Sequence, residues 1–159
     1  MRYFIISDIH SNLEALEEVS KRIVRERMAG DLIVCLGDIV GYGTNPNEVI
    51  ERIFDKADII VPGNHDEAVF WSWEENNAVK PSGYRNMNPI AQYTADRNAR
   101  MLTKPNAEKL RALLQKPYLV EKEGVVFAHS EPCAPLSMTY IQEARDTSEY
   151  FNSKNNWKH

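Results

Sequence analysis

Short apolar runs alternate along the first half of the chain with longer stretches in which apolar side chains return every third or fourth position. Arg2 to Ser7 (RYFIIS) is rich in aromatic and β-branched residues and predicts a strand covered on both faces. From Asn12 to about Met28, the residues Leu13, Leu16, Val19, Ile23 and Val24 recur at helical spacing, and Gly30 is a natural stop. Leu32 to Leu36 predicts a second strand. Pro46 to Phe54 follows as a second helix, with Pro46 in its first turn behind Asn45 as a cap. Ile59 to Val61 is a third strand, ended by Pro62 and Gly63. Three such units in succession call for a parallel sheet with right-handed crossovers.

Glu67 to Asn88 lacks clear periodicity and reads as an irregular excursion near the same sheet edge. Pro89 to Leu102 and Asn106 to Leu114 predict two helices, broken at Lys104 and Pro105. Tyr118 to Val120 and Val125 to Ala128 flank Glu123 and Gly124, a hairpin signal, and the second strand delivers His129. Beyond it only a weak helix near Asp146 to Phe151 is expected. With no internal repeat and no low-complexity linker, residues 1–159 are expected to form a single domain.

Each of the first three strands runs into a polar cluster: DxHxN at Asp8 to Asn12, GD at Gly37 to Asp38, and GNHD at Gly63 to Asp66. In a parallel sheet these clusters emerge at one carboxyl edge, which sets oxygen and imidazole donors side by side where a metal ion can collect them. Taken singly, an Asp or Asn after a strand is an ordinary turn former or helix cap; the joint pattern points to metal-assisted chemistry.

Charge and cysteine content narrow the classes. With 19 basic and 23 acidic residues the net charge is -4, which argues against indiscriminate or stable binding to nucleic acid or to anionic membrane. No signal-like start and no apolar stretch of membrane-spanning length is evident, so a cytoplasmic protein is expected. Cys35 and Cys133 are far apart and suggest reduced thiols rather than a disulfide or a CxxC site. Ser130 and Cys133 lack a GxSxG elbow and a matched base, and no GxxxxGK[ST] phosphate loop is present.

Asp8, His10, Asn12, Asp38, Asn64, His65 and His129, in this order and all after strands, resemble the calcineurin-like metallophosphoesterases over about Met1 to Ser130. The resemblance implies an α/β sandwich of parallel and mixed sheets flanked by helices, and two divalent cations. Asp8 and His10 would hold one cation and Asn64 and His129 the other, with Asp38 bridging the pair. Such a bridge suits cations about 3.5 to 4 Å apart. It further implies a catalytic role for His65, with Asn12 or Asp66 orienting it or the ligands. Manganese is the first expectation, and iron, zinc or nickel would also accept these donors.

Two departures from the family pattern shape the expected function. The protein phosphatases continue as GDxxDRG, whereas here Gly41 and Tyr42 stand where that Asp and Arg would be. Gly37 to Gly43 (GDIVGYG) instead resembles the smaller bacterial phosphodiesterase-like branch. The family's closing GHxH is absent, and the only histidine after His129 is His159. A C-terminally truncated sandwich is therefore expected, with impaired activity and another copy of the chain covering the gap. The expected function is metal-dependent hydrolysis of small phosphodiesters or nucleotides; the alternative is a non-catalytic scaffold or metal-binding protein on the same fold. Trp71, Trp73, Tyr84 and Arg85 offer either stacking faces for a nucleobase or a patch packed on neighbouring helices.

Overall fold

The computed structural model describes residues 1–74 and 82–130. The helix expected near Asp146 to Phe151, together with Cys133, lies outside the described residues. The elements run β1 (Tyr3–Ile6), α1 (Leu13–Glu26), β2 (Leu32–Cys35), α2 (Pro46–Lys56) and β3 (Ile59–Ile60). They continue as α3 (Asn64–Trp73), α4 (Ser82–Asn86), α5 (Pro89–Met101), α6 (Lys104–Leu114), β4 (Leu119–Lys122) and β5 (Val125–Ala128).

β1, β2 and β3 form one parallel sheet in that order, with Tyr3 opposite Leu32, Ile6 opposite Cys35 and Cys35 opposite Ile60. This register brings all three strands to their carboxyl ends at one level, as the predicted topology requires. β4 and β5 pair antiparallel through the Glu123–Gly124 turn. They pack on the first sheet through Phe127, whose ring meets Tyr3 edge-on at 5.1 Å. The result is the α/β arrangement of two sheets with flanking helices expected from the sequence.

β2 is central, and its Val34 and Cys35 are wholly buried. β1 departs from the expectation of cover on both faces, because Ile5 is 53% exposed. Tyr3 and Ile5 share a face by strand alternation, and the hairpin covers that face at Tyr3. In α1 the Asn12 side chain accepts the amide of Ala15 at 3.0 Å, and Leu16 and Ile23 turn inward. Val24 follows Ile23 by a 100° step and points to solvent at 78% exposure, outside the stripe assigned to it.

The segment expected to be irregular after Glu67 instead begins inside a ten-residue helix, α3. His65, Asp66, Ala68, Val69 and Phe70 are all buried, since α3 packs against both α5 and α6. A helix enclosed on most sides carries no polar stripe, so its sequence shows no amphipathic period. Pro105 likewise does not break a helix; it sits in the first turn of α6 behind Thr103, where its missing amide hydrogen costs nothing. Among the described residues no helix is long and apolar enough to cross a membrane.

The opposite, amino edge of the sheet is tied by Asp31. Its carboxylate accepts the Arg2 amide (2.9 Å), Arg2 Nε (3.1 Å), Arg2 Nη2 (2.7 Å) and the Met28 amide (2.9 Å). Hydrogen bonds from the Arg2 guanidinium, then the Met28 amide, hold this carboxyl well below the usual range. A depressed acid stabilises the fold above its unfolded pKa and loses that contribution as the pH falls through its folded value. Asp31→Asn is therefore expected to lower the thermal midpoint by several degrees at pH 7, and the gap to the native protein to shrink as the pH drops below about 4. Thermal unfolding monitored by circular dichroism from pH 7 to pH 3 checks both.

Candidate metal centre

The loops leaving β1 and β2 go on pairing beyond the strands. The amides of Asp8, His10 and Ser11 donate to the carbonyls of Gly37 (3.2 Å), Asp38 (3.0 Å) and Ile39 (2.9 Å). To keep this ladder while turning side chains outward, Asp8, His10, Ser11, Asp38 and Tyr42 adopt φ values from 41° to 56°. Each such non-glycine residue costs on the order of 1–3 kcal/mol and survives only where its surroundings over-determine it. Five of them crowd into this one edge.

The donors converge in two groups that share Asp38. Toward one side, His10 Nε2 lies 3.8 Å from Asp8 Oδ1 and 3.8 Å from Asp38 Oδ2. Toward the other, His129 Nε2 lies 3.5 Å from Asp38 Oδ1 and 3.1 Å from Asn64 Oδ1. Both imidazoles are set by their other nitrogen. His10 Nδ1 meets the Val40 carbonyl at 3.2 Å and His129 Nδ1 meets the Leu36 carbonyl at 2.7 Å. A carbonyl only accepts, so Nδ1 carries the hydrogen in each ring and the Nε2 lone pair faces the other oxygens.

Lone pairs aimed at carboxylate and amide oxygens repel unless a cation lies between them. Donor spacings of 3.1 to 3.8 Å suit ligands that sit about 2.0–2.2 Å from a common ion. Burial lowers the pKa of His10, which keeps the ring neutral as a ligand must be. The donor set therefore fits divalent cations. His65 joins the first group, since ligand atoms of His10, Asp38 and His65 lie within 4.8 Å of one another.

Asp38 is buried and accepts the His65 amide on Oδ1 at 2.8 Å, at the N-terminus of α3. Gly63 passes so close that an added Cβ would stand 2.2 Å from both the amide nitrogen and Oδ1 of Asp38. Asp66 is wholly buried beneath, accepting the amides of Ile39 (2.8 Å), Val40 (3.2 Å) and Gly63 (3.0 Å). Burial pushes both carboxyls up; the charge of Asp8 adds to this for Asp38, and the charge of Asp38 for Asp66.

Six of the predicted residues thus meet: Asp8, His10, Asp38, Asn64, His65 and His129. Asp66 lies under them and braces backbone, including the residue whose carbonyl holds His10, while Asn12 is engaged as the cap of α1. Trp71, Trp73 and Tyr84 pack on the core, and the Tyr84 hydroxyl lies 3.0 Å from each Asp96 oxygen, in keeping with the packing reading of that segment. Cys35 is buried and its thiol is pushed up to about 12, which leaves it inert.

Sequence reasoning missed Asn98. Its Oδ1 accepts the Ser11 hydroxyl (2.6 Å) and the Gly41 amide (2.9 Å), and its Nδ2 donates to the Gly43 carbonyl (2.9 Å). One α5 side chain thereby joins the first and second loops. The available signal was a polar residue set among Ala91, Ala95 and Ala99 on the buried face of that helix.

Residues 1–156 match the family model described as calcineurin-like phosphoesterase. The chain is 37% identical over 143 residues to an uncharacterized protein of Methanocaldococcus jannaschii, covering 86% of this chain and 52% of that protein. It thus spans about half the length of this curated relative. A metallophosphoesterase from Sphaerobacter thermophilus is similar at 33% identity and a TM-score of 0.54, over 76% of this chain and 42% of that one. A structure provisionally assigned as a diadenosine tetraphosphatase shares the fold at 21% identity and a TM-score of 0.59, over 81% and 50% of the two chains.

Asp38→Asn removes one buried like charge and keeps an oxygen for the His65 amide. A carboxyl whose folded pKa is raised costs stability as the pH climbs from its unfolded value towards neutrality. The metal-free variant is expected to unfold at a higher temperature than the metal-free native protein, with an advantage small near pH 4 and growing towards pH 7. Thermal unfolding of the two proteins side by side in chelator reads this difference.

Proposed function

The chain belongs to the calcineurin-like phosphoesterase family, and from that premise we propose that it hydrolyses small phosphodiesters or nucleotides at a dinuclear metal site. Asp8, His10 and Asp38 Oδ2 would hold one cation; Asp38 Oδ1, Asn64 and His129 would hold the other. The carrying observation is Asp38 itself, whose two oxygens face opposite donor groups, His10 Nε2 at 3.8 Å and His129 Nε2 at 3.5 Å. The mixture of carboxylate, imidazole and amide oxygen suits manganese, and also iron, zinc or nickel. Two such cations would supply Lewis acidity towards the phosphoryl oxygens and the means to deprotonate a water near neutral pH.

The protein's own groups orient and stabilise. His65 is held down at about 4, first by burial and then by the neighbouring His10 and His129 imidazoles. It meets the phosphate as a neutral imidazole, a hydrogen-bond donor to a phosphoryl or leaving oxygen. The Asp38 carboxylate keeps the two cation sites in register, and the Val40 and Leu36 carbonyls keep the His10 and His129 lone pairs pointed inward. The GDIVGYG segment favours phosphodiesters over phosphoproteins.

Titration of chelator-stripped protein with Mn²⁺ is expected to give two equivalents per chain, one in His129→Ala, and none of the bridged pair in Asp38→Ala. Mn²⁺-dependent hydrolysis of bis(p-nitrophenyl) phosphate should vanish in Asp38→Ala. In His65→Ala, kcat should fall by about 10²–10⁴ while Mn²⁺ affinity is kept. Asp38-dependent metal binding without turnover on any divalent ion would leave a metal-binding protein on this fold.

A further inference from the structure

We propose that Tyr42 is the positioning residue for His65, fixing the angle of the imidazole by ring packing where, among the described residues, Nδ1 has no hydrogen-bond partner. The inference rests on the role given to His65 above and deepens it. His65 is 6% exposed, and its Nδ1 is buried with no hydrogen-bond partner among the described residues. The space beside that atom is closed. A Cβ at Gly41 would stand 2.6 Å from Nδ1 and 3.2 Å from Cγ of His65, so a side chain at position 41 would displace the ring from this position.

What does touch the ring is aromatic. Tyr42 lies over His65 at a centroid distance of 4.8 Å and a tilt of 38°, and meets His10 edge-on at 4.9 Å and 83°. His10 meets His65 at 4.7 Å and 76°, closing a triangle of three rings. Such contacts have preferred angles, so they orient as well as fill. Tyr42 is 38% exposed, more than core burial would ask of a tyrosine.

Its backbone is clamped on both sides, which is what holds a non-glycine residue at φ 41°. The Gly41 amide is held by Asn98 at 2.9 Å, and the Tyr42 carbonyl accepts Arg97 Nη2. The Gly43 carbonyl accepts Arg97 Nη2 at 2.8 Å and Asn98 Nδ2 at 2.9 Å, and the Gly43 amide donates to the His10 carbonyl at 2.8 Å. α5 therefore sets the loop, the loop sets the Tyr42 ring, and the ring sets His65.

The test compares Tyr42→Leu, Tyr42→Ala and Tyr42→Phe in the Mn²⁺-loaded protein. In the first two, kcat on bis(p-nitrophenyl) phosphate is expected to fall at least about tenfold, and KM and Mn²⁺ affinity to stay within about twofold; Tyr42→Phe restores kcat to within about threefold of the native value. A second readout is independent of turnover. In metal-free protein, the His65 ring protons should carry the same ring-current shift in the native and Tyr42→Phe forms and a smaller one, from His10 alone, in Tyr42→Ala, read by long-range ¹H–¹⁵N spectra. Unchanged kcat in Tyr42→Ala overturns the inference, as does a loss of Mn²⁺ affinity that accounts for the whole effect through His10. Identical His65 ring shifts in the native and Tyr42→Ala proteins overturn it whether or not the chain proves to be an enzyme.

Discussion

A buried carboxylate at the end of a central strand is the constraint around which this molecule is arranged. Among the described residues Asp38 faces only the imidazoles of His10 and His129 as ion-pair partners, and its position is purchased by neighbours that each give up something. Gly63 forgoes a side chain to let it in, and the His65 amide at the head of α3 is turned onto it. The residue itself adopts a left-handed φ. A helix N-terminus directed at a carboxylate is a favourable but small term, which leaves most of the burial cost uncovered. Cations facing both oxygens would supply the remainder, so the same strain that weakens the bare protein defines where charge is wanted.

The scaffold turns sequence distance into proximity by register alone. Because Ile6, Cys35 and Ile60 lie level across the parallel sheet, the residues that follow them start from one line. The fourth contribution, His129, arrives from the separate hairpin and is fastened to the Leu36 carbonyl of the β2 exit. Below this line Asp66, and beside it Asn98, direct their side-chain hydrogen bonds among the described residues to backbone and to Ser11. They hold the loops against one another and leave the inward-facing oxygens and nitrogens unencumbered.

Much of this was legible from residue order. The three strands, α1, α2, α5 and the hairpin follow their periodicities, and the clusters at Asp8, Asp38 and Asn64 meet where a parallel sheet must put them. α3 escaped because NHDEAVFWSW is enclosed by α5 and α6, and a helix without a wet side leaves no repeating signal. Pro105 was misleading because proline at a first helical turn and proline as a breaker look alike until the cap is seen. Tyr42 and Asn98 were illegible for another reason. Their significance lies in what they touch across 23 and 87 residues of chain, to His65 and Ser11 respectively, and local pattern holds no trace of such pairings.

The hairpin that ends in His129 has a dynamic consequence. Two short strands with a pair of exposed valines, Val125 and Val126, make a unit of low local stability, while Asp8 and His10 hang from the body of the main sheet. Transient opening of β4 and β5 would withdraw one imidazole and leave the other donor group intact. Cations bound in the two donor groups would therefore exchange with solvent at different rates, one on the hairpin side turning over quickly and one on the β1 side acting as the resident.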